Sequence, residues 1–231
     1  VLQCASVYGK LNYYYLNVLH EYGDVFIPLY RPEEGQAYTE EQIKQLRIFV
    51  ELGFEGIWFA GSVACFESKY EPFWDEVDRL GVPVFWSFHP NDYANLSKYL
   101  LEWSKAYPKV ISIVAQSFPM SLISTEAGFQ LPDFMREFTK RDNVLFELAY
   151  PIAEGNHEDY PYPKSQQAVK FLYDTFGAEK LVWGSDIPNV ERYCTYAQSL
   201  NYLKDYCDFI SKADMDLILG DNLQRVFSGR V

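Results

Sequence analysis

The sequence predicts an α/β protein, a (β/α)8 TIM-like barrel that lacks its first β/α unit. Short apolar runs recur along the chain, and each is followed by an amphipathic helical pattern. The ends of successive runs lie roughly 30 residues apart, as in a barrel that has eight units in about 250 residues. A chain of 231 residues holds about seven and a half such units. We therefore expect one barrel domain over residues 1–231 that is incomplete at its N-terminus.

Seven segments have the composition of strands that are buried on both faces, because apolar residues fill consecutive positions instead of alternate ones. They are residues 1–5, 25–29, 56–60, 82–88, 110–115, 144–148 and 181–183. Strands with two apolar faces are typical of a parallel sheet that helices cover. This composition indicates the layered arrangement of an α/β protein.

Seven amphipathic segments lie after these strands and are predicted to be helices. They are residues 11–22, 39–52, 71–80, 92–107, 131–140, 164–176 and 196–211. Thr39 is placed to cap the N-terminus of the second helix. Glycines that follow three of the segments are typical of helix C-termini: Gly53, Gly81 and Gly177.

Composition and motifs exclude several classes of protein. The chain has 20 lysine and arginine residues against 32 aspartate and glutamate residues, a net charge of -12, which disfavours nucleic acid and anionic lipid as partners. Its apolar stretches are far shorter than the ~20 residues of a membrane span. No GxGxxG or GxxxxGK[ST] motif is present to bind a nucleotide phosphate. The four cysteines form no CxxC pair, which fits a reducing cytoplasm.

Polar residues that follow apolar strands are the first candidates for chemistry, because the carboxyl ends of barrel strands converge on one face. Four positions qualify: His89, Gln116, Glu147 and Asp186. Asp186 follows a strand and a Gly-Ser turn, which favours a metal ligand or general base, with a helix cap as the alternative. His89 is a candidate metal ligand beside it, since histidine and aspartate are common donors to catalytic metals.

The remaining candidates lie in or near the same barrel mouth. Glu147 is a candidate acid, base or substrate contact, with an ion pair to Arg192 or another cation as the alternative. Arg192 is placed to bind a substrate carboxylate or to pair with a neighbouring acidic residue. His157 lies in a long loop and is a candidate proton donor or substrate contact, or a solvated residue. Four residues near strand ends are candidate contacts for a flat or cyclic substrate: Tyr8, Tyr30, Arg31 and Tyr150.

Four segments carry a resemblance to a known family. They read FWDEVDRLGVPVFWSFHP, DNVLFELAYP, LVWGSDIPN and LILGDNLQRVF. In this order and spacing they resemble the amidohydrolase-related branch of the amidohydrolase superfamily, over nearly the whole chain. The resemblance implies a (β/α)8 barrel that binds one divalent metal, zinc or manganese. It also implies hydrolysis of an amide or lactone, or decarboxylation of an aromatic acid without oxidation.

The resemblance matches His89 to a histidine that ends the family's fifth strand and Asp186 to the aspartate that ends the eighth. Both would then hold or serve the metal. Gln116 stands where the family usually has another histidine, and because an amide is a poor zinc ligand we expect it to contact substrate. The family's His-x-His pair on the first strand is absent. Since a catalytic zinc typically has three protein ligands, we expect an incomplete ligand set.

We therefore expect a cytoplasmic, metal-dependent hydrolase that acts on a small cyclic or aromatic carboxylate, amide or lactone, with Asp186 as base for a metal-bound water. One alternative is a decarboxylase (lyase) that acts on an aromatic acid. Another is a catalytically lapsed barrel that binds a small molecule or a partner subunit. The expected partners are a small-molecule substrate and further copies of this chain, because open edges of a parallel sheet favour oligomers.

Overall fold

The computed structural model of the protein describes residues 11–23, 25–115, 118–148 and 158–228, and six of its strands form one parallel sheet, in which they are neighbours in the order given next. These strands are β1 (Leu29–Tyr30), β2 (Gly56–Ala60), β3 (Val84–Ser87), β4 (Ser112–Ala115), β7 (Val144–Leu148) and β8 (Leu181–Trp183). Within the described ranges β1 and β8 are edges, so the sheet does not close there. The predicted α/β class is confirmed, and the predicted strand over residues 1–5 lies outside the described residues.

The first described strand is shorter than the sequence predicts. The backbone N–H groups of Val25 and Phe26 both donate to the carbonyl of Tyr22, at 3.0 and 3.2 Å. Because these groups are used by the turn that ends the first helix, residues 25 and 26 are unavailable for pairing with β2. A small antiparallel hairpin between β4 and β7 is not predicted by the sequence: β5 (Ser124–Thr125) and β6 (Gly128–Phe129).

Helices cover one face of the sheet, and most of the predicted ones are present. They are α1 (Asn12–Tyr22), α2 (Glu40–Glu51), α3 (Glu71–Leu80), α4 (Tyr93–Ala106), α5 (Met120–Ile123), α6 (Asp133–Arg136), α7 (Pro163–Phe176), α8 (Tyr196–Tyr206), α9 (Lys212–Asp216) and α10 (Asn222–Ser228). The Thr39 hydroxyl accepts a bond from the Gln42 N–H and so caps α2. Gly81 ends α3 with a φ of 63°, the left-handed conformation that glycine adopts without strain.

Two predicted helices differ from the structure. The segment 131–140 is predicted as one helix but forms α6 followed by a separate 3-10 turn, Glu137–Lys140. The sequence does not separate the two, because a 3-10 turn and an α-helix place apolar side chains at similar intervals. The segment 196–211 ends as a helix at Tyr206 because Ser211 is the N-cap of α9, where its hydroxyl accepts a bond from the Asp214 N–H. None of the helices in the described ranges is long and apolar enough to cross a bilayer.

The two faces of the sheet have different neighbours. We define the inner face of the sheet by six residues, one from each strand, whose side chains pack together: Leu29, Trp58, Phe85, Ile113, Leu145 and Val182. Phe227 of α10 joins this layer, and its ring stacks on Phe85 with 6.3 Å between centroids. The other face packs against the helices. The inner face is therefore partly filled by the C-terminal helix.

The Asn222 amide fixes this C-terminal helix to the sheet. It is 1% exposed, and its Nδ2 donates to the carbonyls of Ala178 and Leu181, at 2.8 and 2.7 Å. Leu181 is the first residue of β8, and Ala178 begins the 3-10 turn that precedes it. Buried backbone carbonyls need hydrogen-bond donors, and the Asn222 side chain supplies them here. The same hydrogen bonds hold α10 against the sheet.

Candidate functional site

A pocket of about 350 Å³ opens at the carboxyl end of β7 and β8. Its apolar wall comes from Phe85, Ile113 and Val182 of the inner face and from Leu219 and Leu223 of the C-terminal segment. Its described polar lining includes the side chains of Glu147, Ser185 and Asp186. Catalytic residues of barrel enzymes lie at this end of the strands, so the pocket is the candidate active site.

Asp186 lies three residues beyond the end of β8, in the turn that leads away from the pocket. Its φ of 49° is in the left-handed region, which aspartate tolerates better than most residues. The carboxylate Oδ1 accepts a bond from Asn189 Nδ2 at 3.2 Å, and the backbone carbonyl accepts one from the Val190 N–H, also at 3.2 Å. Unusual backbone conformations of this kind cluster at active sites.

The structure does not use Asp186 as the cap of a helix. The 3-10 turn that follows, Asn189–Arg192, has Pro188 at its N-cap and no side-chain cap. The next α-helix, α8, is capped by Thr195, which forms a reciprocal capping box with Gln198. Asp186 is instead one of the residues that line the pocket.

Glu147 reaches the same pocket from β7, where its backbone pairs with Val182 of β8. Its half-buried carboxylate lies directly against Gly184 of the β8 turn. A Cβ built at residue 184 would overlap this carboxylate. The Glu147 carboxylate therefore occupies space that a side chain at residue 184 would take, a relation between distant residues that sequence analysis missed.

Of the predicted site residues, the structure brings Glu147 and Asp186 together at one pocket. Four others lie elsewhere: His89, Arg192, Tyr30 and Arg31. His89 is exposed, and its Nδ1 accepts a bond from the Asn91 backbone N–H at 3.3 Å. Arg192 is exposed at the end of the 3-10 turn. None of these four residues lines the pocket. Four further predicted residues lie outside the described part of the chain: Tyr8, Gln116, Tyr150 and His157.

Tyr30 is the third residue that the structure places elsewhere. It follows Leu29 of the inner face, and successive side chains of a strand point to opposite faces. Its ring therefore stacks on Phe49 of α2, with 5.1 Å between centroids, and is 2% exposed. Burial, with smaller contributions from nearby acidic groups, raises the pKa of its hydroxyl. Tyr30 does not line the pocket, so its predicted contact with the substrate stays a prediction.

Arg31 is a cation on the inner side of the sheet. It follows β1, and its guanidinium lies 4.4 Å from the centroid of the Trp58 ring. Its Nε donates to Glu34 at 3.0 Å, and its side chain is 12% exposed. The Trp58 indole N–H has no hydrogen-bond partner within the described residues. The sequence signal for Arg31 was only that a charged residue follows an apolar strand.

The described residues do not form a complete metal site. Among them, no group of three or more histidine, cysteine, aspartate or glutamate side chains is placed to hold an ion. Two pocket carboxylates fall short of the three protein ligands that a catalytic zinc typically has. We therefore derive no chemical step through a metal.

Several solved structures share this fold. A probable 2-pyrone-4,6-dicarboxylic acid hydrolase from Acinetobacter baumannii, with citric acid bound, has a TM-score of 0.74 and 21% identity over 98% of this chain and 82% of that one. The 2,6-dihydroxybenzoate decarboxylase from Rhizobium has a TM-score of 0.68 and 18% identity over 95% and 76% of the two chains. A dihydroxybenzoic acid decarboxylase from a Polaromonas species, with bound manganese, has a TM-score of 0.69 and 17% identity over 95% and 74%. At these identities the likeness establishes the fold.

Comparison of the sequence with family profiles identifies the family of this chain. A search of proteins with curated functions found no match, whereas a profile described as amidohydrolase matches residues 1–228. The matched range contains every strand of the parallel sheet and both carboxylates of the pocket. The resemblance found in the strand-end motifs is thereby confirmed, and the chain belongs to the amidohydrolase family.

Proposed function

We propose that this protein is an enzyme that hydrolyses a small cyclic or aromatic carboxylate, amide or lactone. The observation that carries the proposal is the pair of carboxylates, Glu147 and Asp186, in one apolar-walled pocket at the carboxyl end of the sheet. Membership of the amidohydrolase family supports hydrolysis as the reaction. A pocket of about 350 Å³ is at the small end of ligand sites, which fits a substrate with one ring.

In the proposed reaction Asp186 is the general base. Its carboxylate accepts a proton from water while the water oxygen bonds to the substrate carbonyl carbon. The C–O bond of a lactone or the C–N bond of an amide then breaks, and the proton passes to the leaving oxygen or nitrogen. Phe85, Ile113 and Val182 hold the ring and exclude bulk water. Glu147 is the second acid or base, and His157 remains a candidate proton donor.

Decarboxylation of an aromatic acid is the second candidate. The fold likeness to two dihydroxybenzoate decarboxylases favours it, because both reactions suit a flat acid in a small apolar pocket. In this version carbon dioxide leaves the ring and a proton is delivered to the same ring carbon, with Asp186 as the acid. A barrel without catalytic activity is the third possibility and is an outcome of the test below.

The cofactor expectation is one zinc or manganese ion, with His89 and Asp186 as ligands. It stays a prediction, because His89 is exposed and does not line the pocket with Asp186. Elemental analysis of the purified protein by mass spectrometry tests it. About one ion per chain that is lost on His89→Ala substitution would support the expectation, and an ion content unchanged by that substitution would contradict it.

The activity test uses three acids: 2-pyrone-4,6-dicarboxylate, a 2-pyrone monocarboxylate and 2,6-dihydroxybenzoate. Loss of pyrone absorbance reports hydrolysis and release of carbon dioxide reports decarboxylation, each measured with and without added zinc or manganese. We expect Asp186→Asn to lower kcat/KM by about 100-fold or more, the usual contribution of a general base. Asp208→Asn, an exposed aspartate on the surface, is the matched control and should leave kcat/KM unchanged. No turnover of any of the three acids under any metal condition would point to the inactive barrel.

A further inference from the structure

We infer that a second cavity, formed by the helices that cover the sheet, binds a small organic cation with a quaternary ammonium group. The cavity has a volume of about 280 Å³. It lies between α3, α4 and the 3-10 turn Val63–Phe66. Among the described residues, none that lines this cavity also lines the candidate active site. The inference is therefore independent of the proposed function and adds a second binding site to the protein.

The walls of the cavity are mainly aromatic rings. Five of its nine described lining residues are aromatic: Phe66, Trp74, Tyr99, Trp103 and Tyr107. Phe66 stacks on Tyr99 with 5.7 Å between ring centroids, and Trp103 packs on Tyr107 at 5.0 Å. The face of an aromatic ring carries partial negative charge, so it attracts a cation as well as an apolar group. An aromatic wall therefore suits a cation whose surface is itself apolar.

The exposed edge of the cavity is acidic. Its charged lining residues in the described part of the chain are three exposed glutamates: Glu67, Glu71 and Glu102. Lys69 contacts Glu67 at 2.9 Å and Lys105 contacts Glu102 at 2.7 Å, but neither lysine lines the cavity. The charge at this edge is complementary to a cation. This charge distinguishes a cation from a neutral apolar ligand of the same size.

The hydroxyl of Tyr107 gives a second indication of negative potential at the cavity. It donates to Asp75 Oδ1 at 3.2 Å. Burial is the main cause that raises the pKa of Tyr107 to about 12, followed by the charge of Asp75, with smaller contributions from Glu71 and Asp78. Negative charges that oppose the ionisation of a phenol also attract a cation at the same place.

A quaternary ammonium group suits this cavity better than a group with N–H donors. Trp74 and Trp103 of the wall are 1% and 6% exposed, so the buried part of the cavity is aromatic and the carboxylates lie at its edge. An ammonium or guanidinium group needs hydrogen-bond acceptors when it leaves water, whereas a quaternary ammonium has no N–H and is recognised by ring faces. At about 280 Å³ the cavity is below the ~300 Å³ of the smallest common ligand sites, which favours a small ligand.

The test is a titration followed by NMR with two probes of the same shape. Choline carries a quaternary nitrogen, and 3,3-dimethylbutanol has an uncharged carbon atom in its place. The assigned indole N–H resonances of Trp74 and Trp103 report binding in this cavity, whereas that of Trp183 reports the candidate active site. We expect choline to shift the Trp103 resonance saturably and to bind about 10-fold or more tightly than the neutral probe.

Two variants separate the aromatic and the charged contributions. Tyr99→Leu removes one ring from the wall, and Glu71→Gln removes one charge from the edge without changing its shape. Each should weaken choline binding about threefold or more, and added salt should reduce the effect of Glu71→Gln. The matched controls are Tyr206→Leu, a tyrosine that is 44% exposed against 41% for Tyr99, and Glu40→Gln, which like Glu71 is the exposed first residue of a helix. Neither control residue lines the cavity, so both should leave Kd unchanged.

Several results would overturn the inference. Equal affinity for choline and the neutral probe would show an apolar cleft that does not recognise charge. Choline binding that is unchanged in both Tyr99→Leu and Glu71→Gln, or a shift confined to Trp183, would place the cation elsewhere. Absence of a Trp103 shift at choline concentrations up to about 20 mM, well above a Kd of about 1 mM, would also overturn it. Melting temperatures check that each variant folds, and if Tyr99→Leu does not, Glu71→Gln decides alone.

Discussion

Glu76 of α3 is a buried carboxylate between two arginines, and we predict that Glu76→Gln destabilises the fold mainly through charge. The side chain is 8% exposed. Arg79 Nε donates to its Oε2 at 3.1 Å, and Arg47 of α2 donates from Nε to Oε1 at 2.8 Å. These hydrogen bonds, from Arg79 first and Arg47 second, lower the pKa of Glu76 to about 2 from an ordinary value of 4.5.

The size of the effect follows from this pKa. A change from 4.5 to about 2 corresponds to roughly 3 kcal/mol of folding free energy at neutral pH, since a tenfold change in proton affinity is worth about 1.4 kcal/mol. Both arginine side chains are about half exposed or more, at 49% and 62%, so solvent screening reduces the expectation to about 2 kcal/mol. Glutamine keeps the shape and one acceptor oxygen, and the charge is what it removes.

The direction with pH follows from the sign of the change. Because the folded-state pKa is lowered, the stabilisation is complete above about pH 4.5, the unfolded value, and is lost as the pH falls toward about 2. The difference in the free energy of unfolding between the parent and Glu76→Gln should therefore shrink to less than half between pH 7 and pH 3. Urea unfolding at both pH values measures it.

A matched control is Glu102→Gln, which removes an exposed carboxylate paired with Lys105 three residues along the helix. It should cost less than about 1 kcal/mol at either pH. A Glu76→Gln penalty that is the same at pH 3 and pH 7 would refute the electrostatic reasoning, because packing losses do not titrate. A penalty no larger than that of the control at pH 7 would refute the stated magnitude.

Three further predictions test the fold. Asn222→Ala removes two hydrogen bonds to buried backbone carbonyls, of which that of Ala178 keeps the Leu181 N–H as a donor, and should cost about 1 to 3 kcal/mol in urea unfolding; a loss below about 0.5 kcal/mol would contradict the anchoring role. Gly81→Ala forces alanine into the left-handed region and should cost about 1 kcal/mol, whereas Gly35→Ala, which meets nothing within 4 Å, should be close to neutral. Burial raises the pKa of the Cys65 thiol to about 12. In a Cys4→Ser background, Cys65 should therefore react with an aromatic disulfide reagent at pH 8 only after the protein unfolds. Rapid labelling of Cys65 in the native protein would argue against this burial.

Local features of the chain determined most of the secondary structure. Apolar runs of three to seven residues, glycines with left-handed backbones and the Thr39 cap act over one helical turn or one strand, so they can be recognised without knowing the fold. The strand-end position of Glu147 and Asp186 was predictable for the same reason. Parallel strands bring their carboxyl ends to one edge, and a carboxylate after an apolar strand is therefore a candidate for that edge.

Tertiary structure decided which strand-end residues share the pocket and which do not. Tyr30 is the last residue of β1, and Glu147 is the second-last residue of β7. Because successive side chains of a strand alternate and Leu29 is on the inner face, the Tyr30 side chain points to the helices. A shift of the strand by one residue would direct it to the inner face instead. His89 lies beyond β3 on the exposed side of its turn. The Glu147 carboxylate occupies the space left by a glycine 37 positions later in the chain. Such contacts between distant segments are set by strand register and packing, and a single sequence carries no local signal of either.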